Sequence, residues 1–395
     1  MKEFKAILEA YERIDFGQHR AALATVVRVR GSSYRSPGAR MLITDDGHWV
    51  GSISGGCLEG DALRKARQVM TGGKGMTVTY DTREESNQNL GIGLGCNGVI
   101  DVFIEPVNND AGDPIHFFRQ IVETQEPTVL ATVFSHPILV GKKVWMTQPG
   151  TFVGADASLP AGLKADMTAI FESRKSEISV YEENGESMEV FLELLQPSIN
   201  LILFGGGFDA RPVSQLAKSL GWNVQVTDEC VAHIAPIFFP EADKLSHCHR
   251  QFIDREMNIT AFTACVLMSH NYEYDRDVLQ KLLQTETPYI GILGPRKRFD
   301  KMMEEFSKQG FDIPAHQLHR IHSPIGLDIG AEAPDEIAVS IIAEVQSVFA
   351  NRSGGFLKYR SGPIHRRDES SDQVFKHRYI QGAFQENSDQ HQTSK

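Results

Sequence analysis

The sequence predicts an α/β protein in which an N-terminal mixed α+β domain precedes a Rossmann-like domain with a doubly wound parallel sheet. Three observations support this prediction. From residue 200 onward, short apolar runs alternate with helical stretches, as in parallel sheets. The first of these runs leads into a glycine-rich turn. The preceding region carries short strand-like runs around two glycine-flanked cysteines, Cys57 and Cys96.

The length of 395 residues exceeds that of one ordinary domain. The change of pattern near residue 200 and the polar composition after residue 350 predict three parts. These are a cysteine-loop domain with an extension over residues 1–197, a Rossmann-like domain over 198–350, and a polar tail over 351–395.

The N-terminal domain is predicted to begin with an amphipathic helix, because apolar residues from Phe4 to Tyr11 recur at helical spacing. A helical run over 58–70 follows Cys57, and the pair Asn184-Gly185 predicts a hairpin turn. Residues 108–197 are interpreted as an extension of this domain. The predicted strands cover 21–29, 41–44, 49–53, 76–80, 99–104, 128–134 and 143–147.

The second domain is predicted to alternate strands with helices and to end on a helix near Pro334. Proline suits the first helical turn, and the acidic residues Asp335 and Glu336 suit its positive end. The predicted strands cover 201–204, 224–227, 265–268 and 289–293.

The glycine-rich turn at residues 205–210 fits the pattern G-x-G-x-x-A between a strand and a helix. In that pattern Gly205 makes the turn, and Gly207 lets the backbone approach a phosphate at the helix N-terminus. Asp228, which closes the next strand, stands where an acid usually accepts a ribose hydroxyl. The pattern predicts a Rossmann scaffold and leaves open whether its ligand is a nucleotide.

Further polar segments follow predicted strands, at the sheet edge where open α/β sheets bind ligands. Arg296 opens a helix and suits an anion. His270 is either a proton donor or ligand, or a histidine whose only role is to form hydrogen bonds within its own loop.

The cysteine loops combine thiols with little side-chain bulk. Gly55 and Gly56 precede Cys57, and Gly95 precedes Cys96. Glycine lets a ligand approach the backbone and the sulfur, and a helix N-terminus, predicted just after Cys57, favours a thiolate. The predicted role is that of a nucleophile or a soft-metal ligand, and the alternative is a small buried apolar residue.

Composition excludes several classes of protein. The net charge of −11 argues against a nucleic-acid partner, and no apolar run reaches the roughly 20 residues that span a membrane. Five cysteines without a CxxC pair argue for reduced thiols. With no signal-peptide pattern at the start, we expect a cytoplasmic protein.

Several motifs together resemble those of the XdhC/CoxI family, the xanthine dehydrogenase accessory proteins. The resemblance extends from about residue 21 to residue 365. The motifs are residues 31–41, the Ser54-Gly55-Gly56-Cys57 loop, the Leu94-Gly95-Cys96 loop, the glycine-rich turn, residues 269–275, residues 291–294 and residues 323–331.

This resemblance implies a maturation factor rather than an enzyme. It would bind the molybdenum cofactor (molybdopterin) and protect it during sulfuration by a cysteine desulfurase. It would then deliver the cofactor to a xanthine dehydrogenase-type molybdenum hydroxylase, and it would act as a homodimer. Cys57 or Cys96 would contact the thiophilic molybdenum or hold the transferred sulfur, and glycine amides with Arg40 would hold the pterin and its phosphate.

The chain departs from the family pattern at several positions. Tyr34 and Ser36 stand where the family more often has prolines, Phe208 stands where it has a histidine, and Asn97 where it has a glycine. Two other functions remain open. One is an NAD(P)-dependent oxidoreductase with His270 and Asp275 as its acid–base pair, and the other is a redox or metal sensor built on the two glycine-flanked cysteines.

Overall fold

A computed structural model describes residues 2–82, 98–110, 113–124, 126–154, 159–183 and 185–360 of the chain. These residues form two compact units. The N-terminal unit holds Ala6–Gln120, Pro127–Leu195 and the segment that begins at Leu357. The Rossmann unit holds Gln196–Phe356, the residues up to Lys5, and the short segment Ile121–Glu126. Outside the described residues lie Gly95, Cys96, Asn97 and Asn184.

The first half of the described chain folds into two antiparallel sheets of five strands each. The strand orders are β3-β2-β1-β5-β4 and β8-β7-β6-β10-β9. The elements are α1 (Lys2–Glu12), β1 (Ala21–Gly31), β2 (Arg40–Thr44), β3 (Trp49–Gly51), α2 (Glu59–Gly72), β4 (Met76–Asp81), β5 (Gly98–Val107), α3 (Pro114–Thr124), β6 (Thr128–Ser135), β7 (Lys143–Gln148), β8 (Thr151–Val153), α4 (Leu163–Ser173), β9 (Glu177–Glu183) and β10 (Glu186–Leu195).

Side chains of strand β5 alternate between two cores, as the period of two in a strand requires. Ile100, Val102 and Ile104 pack in the core beneath helix α2. Phe103 points the other way, into a second apolar cluster with Phe134 and two further residues, Val27 and Phe191. Helix α4 covers the second sheet with a core of its own. The two sheets therefore pack face to face, each with a helix on its outer side.

Charged side chains also lie between the two sheets. Arg28 pairs with Asp101 of the first sheet and with Glu189 of the second. Lys143 of the second sheet pairs with Glu105 of the first, and both side chains are less than 10% exposed. Burial raises the pKa of Glu105, although the attraction of Lys143 opposes that rise. Polar residues at inward strand positions are thus part of the interior.

The Rossmann unit contains a parallel sheet of six strands in the order β13-β12-β11-β14-β15-β16. The strand order reverses between β11 and β14. This topological switch point is where open parallel sheets bind ligands. Its elements are β11 (Asn200–Phe204), α5 (Ala210–Ser219), β12 (Asn223–Asp228), β13 (Lys244–His247), α6 (Ile253–Glu256), β14 (Thr263–Leu267), α7 (Tyr272–Leu282), β15 (Tyr289–Ile292), α8 (Arg296–Lys308), α9 (Ala315–Leu318), β16 (Ile321–His322) and α10 (Pro334–Phe349).

Helices cover both faces of this sheet. Helices α5 and α10 share one core with residues such as Val213 and Ile341. Helices α7 and α8 share the opposite core with residues such as Val278 and Phe306. The predicted fold class, a mixed N-terminal region followed by a doubly wound parallel sheet, is confirmed. No helix in the described part of the chain is long and apolar enough to cross a membrane.

Candidate functional site

The loop before helix α2 is organised around one hydroxyl group. The backbone N–H groups of Gly56, Cys57 and Leu58 all donate to Ser54 Oγ, each over 3.1 Å. Ser54 Oγ in turn donates to a carboxylate oxygen of Glu59. The single serine therefore accepts from three successive amides, two in the loop and one at the N-cap residue of helix α2, Leu58.

The carboxylate of Glu59 is buried, with 5% of the residue exposed. It accepts hydrogen bonds from Ser52 Oγ at 2.8 Å, from the Ser54 amide at 3.0 Å and from the Leu58 amide at 3.1 Å. Burial alone would raise the pKa of Glu59, but these hydrogen bonds outweigh it and hold the pKa below its usual value. The carboxylate of Glu59 thus holds the loop at its start, through Ser52 and Ser54, and at its end, through Leu58.

The thiol of Cys57 lies at the edge of this arrangement. Cys57 is half-buried, and its Sγ lies 3.7 Å from Ser54 Oγ. Gly56 has a φ of +110°, and no heavy atom beyond its chain neighbours lies within 4 Å of the position a Cβ would take. The amide of Gly56 donates to Ser54, and the ligand contact predicted for this glycine stays a prediction. What the glycine leaves open is the space beside the thiol.

Arg40 lies in a different setting from the one its predicted role requires. Only 2% of the residue is exposed, and its guanidinium donates to Glu193 and to the carbonyl of Gly38. The guanidinium also lies over the ring of Phe118, 4.7 Å from its centroid. Its charge is paired inside the protein in this structure, and the phosphate contact predicted for Arg40 stays a prediction.

The three glycines of the Rossmann turn differ in how much space surrounds the position that a Cβ atom would take. Gly205 has a φ of +119°, and a Cβ there would lie 2.5 Å from the backbone of Ser269. A Cβ on Gly206 would lie 2.5 Å from the carbonyl oxygen of His233. A Cβ on Gly207 would meet only the ring of His270, at 3.6 Å. The fold requires the first two glycines, whereas Gly207 leaves room for a ligand.

Asp228 lies at the carboxyl end of β12, as the sequence predicts. Its carboxylate accepts the amide of Gly206 at 2.9 Å and the amide of Cys230 at 2.8 Å. Nδ1 of His233 lies 3.1 Å from the same oxygen that Gly206 contacts. Asp228 therefore holds the glycine turn in place. A ribose hydroxyl would have to share this carboxylate with His233, whose side chain is 54% exposed.

His270 lies at the switch point of the sheet. Its backbone adopts a φ of +59°, uncommon for a residue with a side chain. Its Nε2 lies 3.3 Å from Oδ2 of Asp209, the residue of the glycine-rich turn just before helix α5. Asp275 instead pairs with Ser269 Oγ and with Arg298. The predicted acid–base pair of His270 with Asp275 is thus replaced by a contact between His270 and Asp209.

Arg296 begins helix α8, and its side chain is 68% exposed. Its Nε lies 3.1 Å from Asp300, one turn along the helix, and one terminal nitrogen lies 3.5 Å from the carbonyl of Ser323. Its position at the carboxyl edge of the sheet agrees with the prediction. Its neighbour Arg298 turns inward to Asp275, where burial raises the pKa of the carboxyl group against the opposing effects of Ser269 and Arg298.

Sequence reasoning missed four residues of these arrangements, namely Ser54, Glu59, Asp209 and His233. Ser54 begins the cysteine motif and Glu59 lies two residues after it, so their place beside the predicted helix start is a signal that the sequence offers. His233 carries no such signal, because its contact with Asp228 depends on the turn after β12.

Comparison with known proteins gives two matching family models. The model described as the XdhC and CoxI family matches residues 17–81, and the model described as the XdhC Rossmann domain matches residues 201–345. The first contains Cys57, and the second contains Gly207, Asp228, His270 and Arg296. Cys96 falls in neither match.

Two curated relatives and one solved structure are similar over most of the chain. A protein of Bacillus subtilis (strain 168), named as a probable xanthine dehydrogenase subunit, is 31% identical over 83% of this chain and 93% of its own length. "Molybdenum cofactor insertion chaperone PaoD" of Escherichia coli (strain K12) is 23% identical over 83% of each chain. A crystal structure described as a xanthine dehydrogenase from Bacillus halodurans has a TM-score of 0.70 and 29% identity, over 92% of this chain and 99% of that one.

Proposed function

This chain belongs to the XdhC and CoxI family, and from that membership we propose that it is a chaperone for the molybdenum cofactor. In this role it binds the cofactor, protects it during sulfuration by a cysteine desulfurase, and delivers it to a xanthine dehydrogenase-type molybdenum hydroxylase. The likeness to a protein named as a molybdenum cofactor insertion chaperone supports the maturation role. The cofactor is cargo here, and the chain's own residues bind and release it.

The observation that carries the proposal is the setting of Cys57. Its half-buried thiol lies beside open space at Gly56, on a loop that Ser54 and Glu59 hold in one conformation. Molybdenum is thiophilic, so a thiolate at this position fits it. One sulfur contact also suits a carrier, because a closed set of four protein ligands would oppose release.

The Rossmann unit supplies a second proposed contact, for an anionic group. Gly207 leaves space above the N-terminus of α5, where backbone amides and the helix dipole favour a phosphate. Arg296 lies at the same edge of the sheet with an exposed guanidinium. We propose that these residues bind the phosphate of a ligand of the Rossmann unit, with His270 and Asp228 beside them.

The alternative, an NAD(P)-dependent oxidoreductase, has less support. Asp228 already accepts Gly206, Cys230 and His233, so a ribose would have to displace one of these contacts. The acid–base pair that this alternative invoked is not formed, because Asp275 is engaged by Ser269 and Arg298.

The direct test is to identify what the full chain carries. The protein is purified from cells that make the molybdenum cofactor, and molybdenum, oxidised fluorescent pterin and NAD(P) are each quantified. We expect molybdenum and pterin in equal amounts and no NAD(P). Stoichiometric NAD(P) without molybdenum would instead support the oxidoreductase and contradict the chaperone.

Cysteine variants then locate the metal contact. Cys57→Ser should lose most of the bound molybdenum while its circular dichroism stays unchanged, because serine keeps the size and loses the soft thiolate. Cys230→Ser is the matched control, since Cys230 is an exposed thiol on the Rossmann unit. Equal molybdenum in both variants would contradict a role for Cys57. Cys96→Ser tests the other predicted contact.

The partners proposed for this chain are tested separately. Transfer of labelled sulfur from a cysteine desulfurase to the protein-bound cofactor would support the sulfuration step. Recovery of activity by a cofactor-free molybdenum hydroxylase would support delivery. Light scattering on the purified chain measures whether it forms the expected homodimer.

A further inference from the structure

We infer that Tyr34 is a stacking platform for the planar pterin ring of the cargo. This inference rests on the proposed function and adds to it a residue that recognises the organic part of the cofactor. It assigns a role to an exposed aromatic side chain that the fold itself does not need for its core.

The geometry of Tyr34 places its ring against the cysteine loop. Tyr34 lies in the connection between β1 and β2, and a Cβ on Gly55 would lie 3.4 to 3.7 Å from its Cγ, Cδ1 and Cδ2 atoms. The ring therefore lies on the side of Gly55 where a side chain would project. Even so, 70% of the residue is exposed. A large aromatic side chain is thus held in place while much of its surface faces solvent.

The glycine beside which Tyr34 lies is close to the thiol along the chain. Gly55 is two residues before Cys57, and the intervening Gly56 has open space where a side chain would otherwise stand. The metal and the pterin belong to one molecule, so a carrier that contacts both needs an aromatic surface near its sulfur. Tyr34, which lies beside Gly55, and Cys57, two residues after Gly55, would provide these two kinds of contact.

The chemistry of the ring suits a fused planar heterocycle. Aromatic side chains stack on heterocyclic rings through their faces, with little dependence on the pattern of ring substituents. An aliphatic side chain at this position would offer an apolar contact without a π-face. We therefore expect this chain to gain affinity for the pterin from the ring of Tyr34 itself.

The test compares two substitutions in the full chain. Binding of free pterin-6-carboxylic acid is followed by quenching of its fluorescence. Tyr34→Phe should bind within about twofold of the original, because the ring is kept. Tyr34→Leu should bind about tenfold more weakly, the loss expected for one stacked ring. Tyr359→Leu is the control, because Tyr359 is also largely exposed, at 77%.

Thermal unfolding separates stacking from a structural role. Leucine still covers Gly55, so Tyr34→Leu should unfold at the same temperature as the original chain. Equal pterin affinity in the folded Tyr34→Leu variant, or no quenching by the original chain, would overturn the inference. Retention of molybdenum that depends on Cys57 would in that case leave the proposed function standing, whereas a chain that carries neither molybdenum nor pterin would refute both.

Discussion

Arg40 and Glu193 form a buried ion pair between the two sheets of the N-terminal unit, with both terminal guanidinium nitrogens on the carboxylate. The side chains are 3% and 7% exposed. Arginine and carboxylate match in this two-bond geometry, which fixes the distance and angle between the strands that carry them. Arg40 is therefore a residue of the interior.

The first prediction is that Glu193→Gln destabilises the chain by about 3 to 5 kcal/mol, because it leaves the charge of Arg40 buried without its partner. Urea unfolding measures the change. Arg64→Ala is the control, since Arg64 pairs with Asp61 at the surface with 63% of its side chain exposed, and it should cost less than about 1 kcal/mol. A small effect of Glu193→Gln would show that the pair is dispensable.

The second prediction separates two glycines of the Rossmann turn. Gly205→Ala should be strongly destabilising, because its φ of +119° is strained for alanine and its Cβ would strike the backbone of Ser269. Gly207→Ala should fold normally. Gly207→Val should abolish binding of inorganic pyrophosphate, measured by calorimetry, because its side chain fills the approach to the helix N-terminus. Unchanged binding in Gly207→Val would exclude the turn as the anion site.

The third prediction concerns Asp228. Asp228→Ala leaves the amides of Gly206 and Cys230 without their acceptor, and we expect a loss of about 1 to 3 kcal/mol for each amide that stays unsatisfied. Thermal and urea unfolding measure it. His233→Ala is the comparison, because it removes an exposed ring from the same carboxylate and should cost far less. Similar losses in both variants would mean that the amides do not depend on Asp228.

The fourth prediction is a pH dependence that arises from Glu59. Its pKa is lowered in the folded chain, so the carboxylate adds stability above its unfolded pKa of about 4.3. That stability is lost as the pH falls through the lower folded value. Glu59→Gln should therefore lose less stability than the original chain as the solution is acidified below about pH 5. Glu123→Gln, at an exposed position, is the control. Identical pH profiles for Glu59→Gln and the original would contradict this role.

Much of the fold could be predicted from local patterns. The Rossmann unit is recognisable because each strand and helix carries its own apolar period, and the turn at Gly205 follows directly from β11. The pairing of the two antiparallel sheets could not be predicted in the same way. Inward positions such as Arg28 and Asp101 are charged, which interrupts the apolar alternation that marks a buried strand.

The candidate site could likewise be predicted only where its residues belong to a local pattern. The sequence indicates Cys57 through its glycine neighbours, and it indicates Gly207 and Arg296 through their places in a strand-turn-helix pattern. It could not show that Arg40 is paired, because Glu193 lies 153 residues away along the chain. It also could not show that Asp228 is shared with His233, since that contact depends on the turn between them.

The hydroxyl of Ser54 has a consequence for how fast cargo is exchanged. Because it orders the loop around Cys57 when the protein folds, the proposed cargo would meet a loop that is already in place, and its binding energy would not be used to order these residues. In the proposed carrier, loading and unloading would then not wait for these loop residues to fold or unfold. A carrier built in this way can hold its cargo through few contacts and still hand it on quickly.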